Sequence, residues 1–276
     1  MDTVVPAIPA IPVSSLRRRL GSRGSPLAID ARRTPAYEGD TVTLPGALRR
    51  APESVSQWGP ALPQGRPVVV YCVHGHEVSQ STAQALCGLG IDASYLEGGI
   101  EAWKQSGAPT LLRQSGPGFA PGVPTRWVTR ARPKIDRIAC PWLIHRFIDP
   151  EAAFLYVPAD EVTAVAQREN AIAYDVPDVR FSHRGERCSF DAFIEDFGLR
   201  DPALDTLAAI VRGADTGRPE LTPQSPGLLS VSLGLSELFG DDHEMLEHGM
   251  MVYDALYAWS SRAQDEIHNA KLFEKK

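Results

Sequence analysis

The chain has 276 residues, enough for two domains of ordinary size, with 43% apolar and 22% charged residues. That composition excludes a collagen, a coiled coil and a mostly disordered chain, and no run of eighteen apolar residues offers a membrane span. The net charge of −6 is unevenly shared: residues 1–126 carry +3 and residues 127–276 carry −9. An acidic second half argues against broad contact with nucleic-acid phosphates. The N-terminus shows no charged segment followed by an apolar core, so a cytoplasmic chain is expected. Cys72, Cys87, Cys140 and Cys188 form no CxxC pair and read as free thiols in a reducing compartment.

The first fifteen residues, rich in Ala, Pro and Val, read as an arm, and Ser14-Ser15 as the cap of a short helix over Leu16–Leu20. Leu27–Asp30 reads as a buried strand, and Pro67–Tyr71 as a stronger one because it is β-branched or aromatic after Pro67. A helix is predicted over Ser79–Leu89, ended by Gly90, with Ala83, Leu86 and Cys87 on its core face. A strand at Ala93–Leu96 and a helix from Gly98-Gly99 through Trp103 complete an alternating pattern, which indicates a parallel sheet covered on both sides. Gly, Pro and Ser concentrate in Ser106–Pro124, which places a linker at about 111–126 between domains 1–110 and 127–276.

The second half opens with a strand at Arg126–Thr129 and a helix near Asp136–Phe147 that Pro141 must delay or kink. A strand at Phe154–Val157 follows, then helices at Ala159–Arg168, Phe190–Phe197, Pro202–Val211, Gly227–Leu238 and from Asp241 to about Ala270. The expected architecture is an α/β unit followed by a helix-rich α+β unit. Trp142, Tyr253, Tyr257 and Trp259 read as core, and His145 and His268 as surface residues.

Cys72 ends the strong strand and precedes a helix, where unpaired backbone N–H groups and the helix dipole stabilise a thiolate, a persulfide or an oxyanion. That is the setting of a nucleophilic cysteine. The first 110 residues resemble a single-domain rhodanese, through Ile29–Arg32, Leu44–Ala47, Val68–Ser79 and Leu96–Trp103. The resemblance implies that Cys72 accepts a sulfane sulfur and passes it on, and that the loop from Cys72 to Glu77 surrounds the persulfide. Val73, His74, Gly75, His76, Glu77 and Val78 are therefore the expected substrate-binding positions. Active rhodaneses often carry basic residues after the cysteine and at the loop's end, whereas this chain has Val73 and Glu77. Glu77 would repel thiosulfate, so a thiol persulfide or a protein partner is the expected donor. Asp30 and Arg32 read as structural.

Residues 127–276 resemble the C-terminal domain of chromate-resistance proteins of the ChrB type, through Trp127–Arg130, Arg132–Ile144, Arg146–Asp149, His183–Phe193, Arg212–Asp215 and Tyr253–Tyr257. The resemblance indicates a theme, oxyanion resistance, and no particular reaction. From the residues alone, Lys134 and Arg137 in the basic stretch suit a tetrahedral oxyanion such as chromate, beside Cys140. A scattered set, His183, Glu186, Cys188, Asp191, Asp215, His243, Glu247 and His248, offers ligands for Zn, Mn or Fe. His183, Asp215 and His243, from three separate segments, are the first choices for a divalent metal.

The reading that results is a rhodanese-like sulfurtransferase using Cys72 and linked to oxyanion resistance. Its expected partners are a small sulfur donor, a thiol acceptor and chromate or another oxyanion, with no nucleic acid and no membrane. The alternatives are a non-enzymatic oxyanion or metal sensor, and a metal-dependent enzyme centred on the second half.

Overall fold

The computed structural model describes residues 8–266. The first half holds β1 (Ala10–Ile11), α1 (Val13–Arg19), β2 (Leu27–Asp30), α2 (Thr34–Glu38), β3 (Val42–Thr43), β4 (Leu48–Arg49), α3 (Val55–Trp58), β5 (Val68–Tyr71), α4 (Glu77–Gly88), β6 (Ala93–Leu96) and α5 (Gly99–Gln105). Five strands form one parallel sheet in the order β1-β6-β5-β2-β4. The central strand β5 is buried on both faces, as the all-apolar run requires. Its side chains alternate: Val68 and Val70 meet Leu27, Ile29 and the α4 residues Ala83 and Leu86, while Val69 and Tyr71 meet Leu16, Leu96, Ile100 and Trp103.

Some local readings change. The N-terminal segment joins the sheet as β1, because Pro9 and Ile11 carbonyls accept from Tyr95 and Glu97 amides and satisfy the β6 edge. Helix α1 begins after Pro12, with no capping side chain. Helix α4 begins two residues earlier than expected, at Glu77, and Cys87 is exposed, because the buried face is Ser79, Thr82, Ala83 and Leu86.

The second half holds β8 (Arg126–Arg130), α6 (Asp136–Leu143), β9 (Ala153–Val157), α7 (Val162–Glu169), β10 (Ile172–Ala173), α8 (Ser189–Asp196), α9 (Pro202–Asp215), α10 (Ser225–Leu238) and α11 (Asp242–Arg262), after a short β7 (Leu111–Leu112). A parallel sheet, β10-β8-β9, is covered by α7 on one face and by the large helical core on the other. Every residue of α6 from Ile138 to Leu143 is buried, so this helix is the axis of the unit. Pro141 sits inside α6 and withdraws the N–H that would reach the Arg137 carbonyl; the Tyr174 hydroxyl approaches that carbonyl instead, at 3.5 Å. A π turn, Ile144–Ile148, then ends the helix. Trp142, Tyr253 and Tyr257 are core, Trp259 is partly buried, and His145 is half-buried with its ring edge on Phe154. The end of the expected last helix and His268 lie outside the described residues.

Residues 111–126 pack tightly between the halves. Strand β7 pairs antiparallel with β3, the Leu112 amide donates to the Phe197 carbonyl, and Phe119 lies edge-on to Trp127, Phe181 and Phe197. The Gly46 amide donates to the Phe147 carbonyl at 2.6 Å, and Arg50 pairs with Glu151 at 2.7 Å across the same junction. None of the described helices is long and apolar enough to cross a membrane.

Candidate functional site

Cys72 lies where β5 leaves the sheet and is 7% exposed. The loop that follows is pressed against the turn into α5. Ile100 and Glu101 amides donate to the Cys72 and Val73 carbonyls at 3.0 and 3.1 Å. Gly75, at φ +71°, passes so close that a Cβ would lie 2.5 Å from the Leu96 carbonyl oxygen. Only glycine combines that backbone angle with that approach. With the first loop carbonyls held by α5, the amides of Val73 through Ser79 donate to no protein acceptor among the described residues. Seven consecutive amides without a protein acceptor, in the loop that follows Cys72 and the first turn of α4, are the kind of backbone that can bind an anion.

The Cys72 sulfur lies 3.2 Å from the Ser79 hydroxyl, which also reaches the His76 carbonyl at 3.1 Å. Ser79 is fully buried, and the sequence reading gave it no role. Val73 and Val78 are half-buried, while His74, His76 and Glu77 are exposed, with the two imidazoles 5.9 Å apart. Beneath the loop, Asp30 and Arg32 form a fully buried pair at 2.5 Å, and Arg32 also holds Asp40 and the Val42 carbonyl. Burial alone would lower the Arg32 pKa, but the Asp30 hydrogen bond and charge outweigh it and raise it.

A second constellation lies in the other half, around a cavity of about 310 Å³ lined by Arg130, Lys134, Asp136, Arg137, Asp175, His183 and Asp215. The oxyanion candidates Lys134 and Arg137 and the metal candidates His183 and Asp215 thus share one pocket. His183 Nε2 lies 3.1 Å from Asp215, 3.4 Å from Asp136 and 3.4 Å from Asp175. His243 is not among the donors brought together: it opens α11, exposed, with its ring edge-on to Tyr156 of β9. Cys188 does join, as its sulfur and carboxylate oxygens of Asp136 and Asp215 all lie within 4.8 Å of one another. Asp191 is held by Arg212 at 2.7 Å, and Glu186 projects outward to Arg218.

The backbone is bent to build this pocket. Ile135, just before Asp136, has φ 43°, and Asp175 has φ 52°. A β-branched residue there is strained. The Ser232 hydroxyl accepts the Ile135 amide and the Tyr253 hydroxyl donates to its carbonyl, so α10 and α11 hold the bend. Burial and the charges of Asp136 and Asp175 push Asp215 up to about 8, and burial pushes Asp136 up. Burial acts upward on Asp175 too, but hydrogen bonds from His183, Ser189 and Arg130 hold it below the usual range. Hydrogen bonds to Asp136 and Asp175 raise His183 to about 10. Burial pushes the thiols of Cys140 and Cys188 up, and the charge of Asp136 adds to it. The sequence reading did not propose Asp136 or Asp175 as site residues.

The family models divide the chain at the same junction. The model of the rhodanese-like domain matches residues 13–106, and that of the ChrB C-terminal domain matches residues 127–260. The chain joins a rhodanese-like domain to a ChrB C-terminal domain. Protein ChrB of Cupriavidus metallidurans is 35% identical over 133 residues, covering 48% of this chain and 40% of that protein. The chain therefore spans less than half the length of that relative. Among solved structures, a rhodanese-related protein of Thermoplasma volcanium is 20% identical with a TM-score of 0.33, covering 37% of this chain and 96% of that one. A rhodanese-like domain protein of Staphylococcus aureus is 22% identical with a TM-score of 0.32, covering 35% and 91%. The Cys72 loop belongs to the rhodanese-like domain, and the His183 pocket to the ChrB-type domain.

Proposed function

We propose that the rhodanese-like domain is a cysteine-persulfide sulfurtransferase and that the whole chain serves oxyanion resistance of the chromate type. The observation that supports this reading most is the run of free amides from Val73 to Ser79 that directly follows Cys72, whose sulfur lies 3.2 Å from the Ser79 hydroxyl. The Cys72 thiolate attacks the outer sulfur of a donor persulfide, forms an S–S bond to it and releases the donor thiolate. The free amides hold the negative terminal sulfur of the Cys72 persulfide. An acceptor thiolate then takes that sulfur and returns Cys72 as a thiolate. Glu77, exposed at the first turn of α4, disfavours the dianion thiosulfate and leaves a low-molecular-weight thiol persulfide as the preferred donor. This chemistry needs a reduced Cys72, so the proposed location is a reducing cytosol, with neither nucleic acid nor membrane as partner.

Intact mass after incubation with glutathione persulfide tests the reading. One added sulfur atom is expected on the wild-type chain and none on Cys72→Ser. A Cys72→Ser chain that still transfers sulfur would overturn it. A wild-type chain that forms no persulfide with any donor would instead favour a non-enzymatic binding role for this domain.

A further inference from the structure

We propose that the pocket of the ChrB-type domain is a divalent-cation site whose ligands are Asp136, Asp175, His183 and Asp215. The donors come from separate segments: the first turn of α6, the loop after β10, the loop before α8 and the last turn of α9. Nitrogen and oxygen donor atoms of His183, Asp136 and Asp175 all lie within 4.8 Å of one another, a spacing that one ion can span. Asp215 Oδ2 lies 3.1 Å from His183 Nε2, and a carboxylate oxygen of Asp215 lies within 4.8 Å of one of Asp136.

An ordinary network of ion pairs does not account for this cluster. Arg130 and Arg137 both take Oδ2 of Asp175, at 3.0 and 3.2 Å, and leave its Oδ1 facing His183. Among the described residues, no arginine or lysine lies within ion-pair distance of Asp136 or Asp215. Asp136 is 2% exposed; its Oδ2 accepts from the Ser189 amide and meets His183, and its carboxyl group also lies against that of Asp215, a close pairing of two acids. Two carboxylates, one of them almost completely buried, thus share a single imidazole that is itself 41% exposed. Burying carboxylates without matching cations or donors is costly, and a bound dication removes that cost by direct ligation.

The donor chemistry narrows the ion. Three carboxylates and one imidazole suit Mn²⁺, Fe²⁺ or Zn²⁺. The Cys188 sulfur, which also lies 3.5 Å from Asp191 Oδ2, groups with Asp136 and Asp215 but not with His183 and Asp175, so it adds at most one soft donor on one side of the set. The open side of the cavity, bounded by Arg130, Lys134 and Arg137, leaves room for an anionic ligand on the metal. None of these residues belongs to the Cys72 site, so the two proposals fail independently.

The test uses the full, tag-free chain stripped with a chelator and titrated calorimetrically with MnCl₂ and with ZnCl₂. One equivalent of at least one metal is expected to bind, with a rise in thermal midpoint. Asp215→Asn and His183→Ala, both at the cavity edge, are expected to weaken binding at least tenfold while keeping the wild-type circular dichroism. The electron paramagnetic resonance spectrum of bound Mn²⁺ gives a second readout, expected to disappear in both variants. Cys72→Ser is expected to bind metal like wild type. Absence of saturable binding at millimolar metal, binding that survives both pocket variants, or binding lost in Cys72→Ser would each overturn the proposal.

Discussion

The Ser79 hydroxyl stands between the Cys72 sulfur, at 3.2 Å, and the His76 carbonyl, at 3.1 Å. In the thiol state, S–H donates to Ser79, which donates on to His76. In the thiolate state, the hydroxyl turns and donates to sulfur, so the first turn of α4 recognises the charge on Cys72 directly. A hydrogen bond to a charged group contributes about 1.5–3 kcal/mol. Ser79→Ala is therefore expected to slow persulfide formation by about tenfold or more with the fold intact. Single-turnover rates with glutathione persulfide measure this, and an unchanged rate would remove Ser79 from the mechanism.

Glu77 is expected to set donor preference under the proposed function. It is exposed at the first turn of α4, and like charges about 4 Å apart in water repel by roughly 1 kcal/mol. Glu77→Gln is expected to raise kcat/KM for thiosulfate several-fold at low salt, and Glu77→Arg further, with a smaller gain for the singly charged persulfide. The gain should shrink as salt rises. A salt-independent gain would point to a change in loop structure.

The Asp30–Arg32 pair ties the end of β2 to Asp40 and the Val42 carbonyl and is 1% exposed on both sides. Removing one partner of a buried pair leaves an uncompensated charge and costs about 3–5 kcal/mol. Asp30→Ala is expected to lower the unfolding free energy from urea titration by that amount, with Cys72 chemistry lost only in proportion to unfolding.

Acid should weaken the ion-pair network around Asp196 in the ChrB-type domain. Asp196 accepts from Arg180 at 2.7 Å and from Arg184 at 2.8 Å, and these outweigh burial to hold its carboxyl below the ordinary 3.8. A depressed folded value contributes stability that is present above pH 3.8 and is lost as pH falls through the lower folded value. Urea midpoints measured from pH 6 down to 3 should fall most steeply below about pH 4. Asp196→Asn should flatten that part of the curve.

Much of the rhodanese-like domain was legible from residue order. The VVVY strand could only be a central, doubly buried one, and a cysteine between it and a helix could only face helix-end amides. The face of α4 was less legible, because two of its four buried residues are Ser79 and Thr82, and hydrophobic periodicity alone placed Cys87 inward. In the second half, the helices and their apolar faces followed from spacing. His183 and Asp215 stood out only as residue types.

What the amino-acid sequence determined by itself was local: the five longest strands, most helices and the place of Cys72 between a strand and a helix. The tertiary structure decided which polar residues meet. Asp136 looked like a lone acid in a basic stretch, and Asp175 carried no motif; each becomes a site residue only because β8, α6 and α9 converge on one cavity. His243 belongs to a helix that packs against the same core, but its ring turns to Tyr156. Chain order encodes helices and strands through neighbours a few residues apart. Carboxylates drawn from positions 136, 175 and 215 are brought together by burial of the apolar faces between them, which leaves no periodic signal at the polar residues themselves.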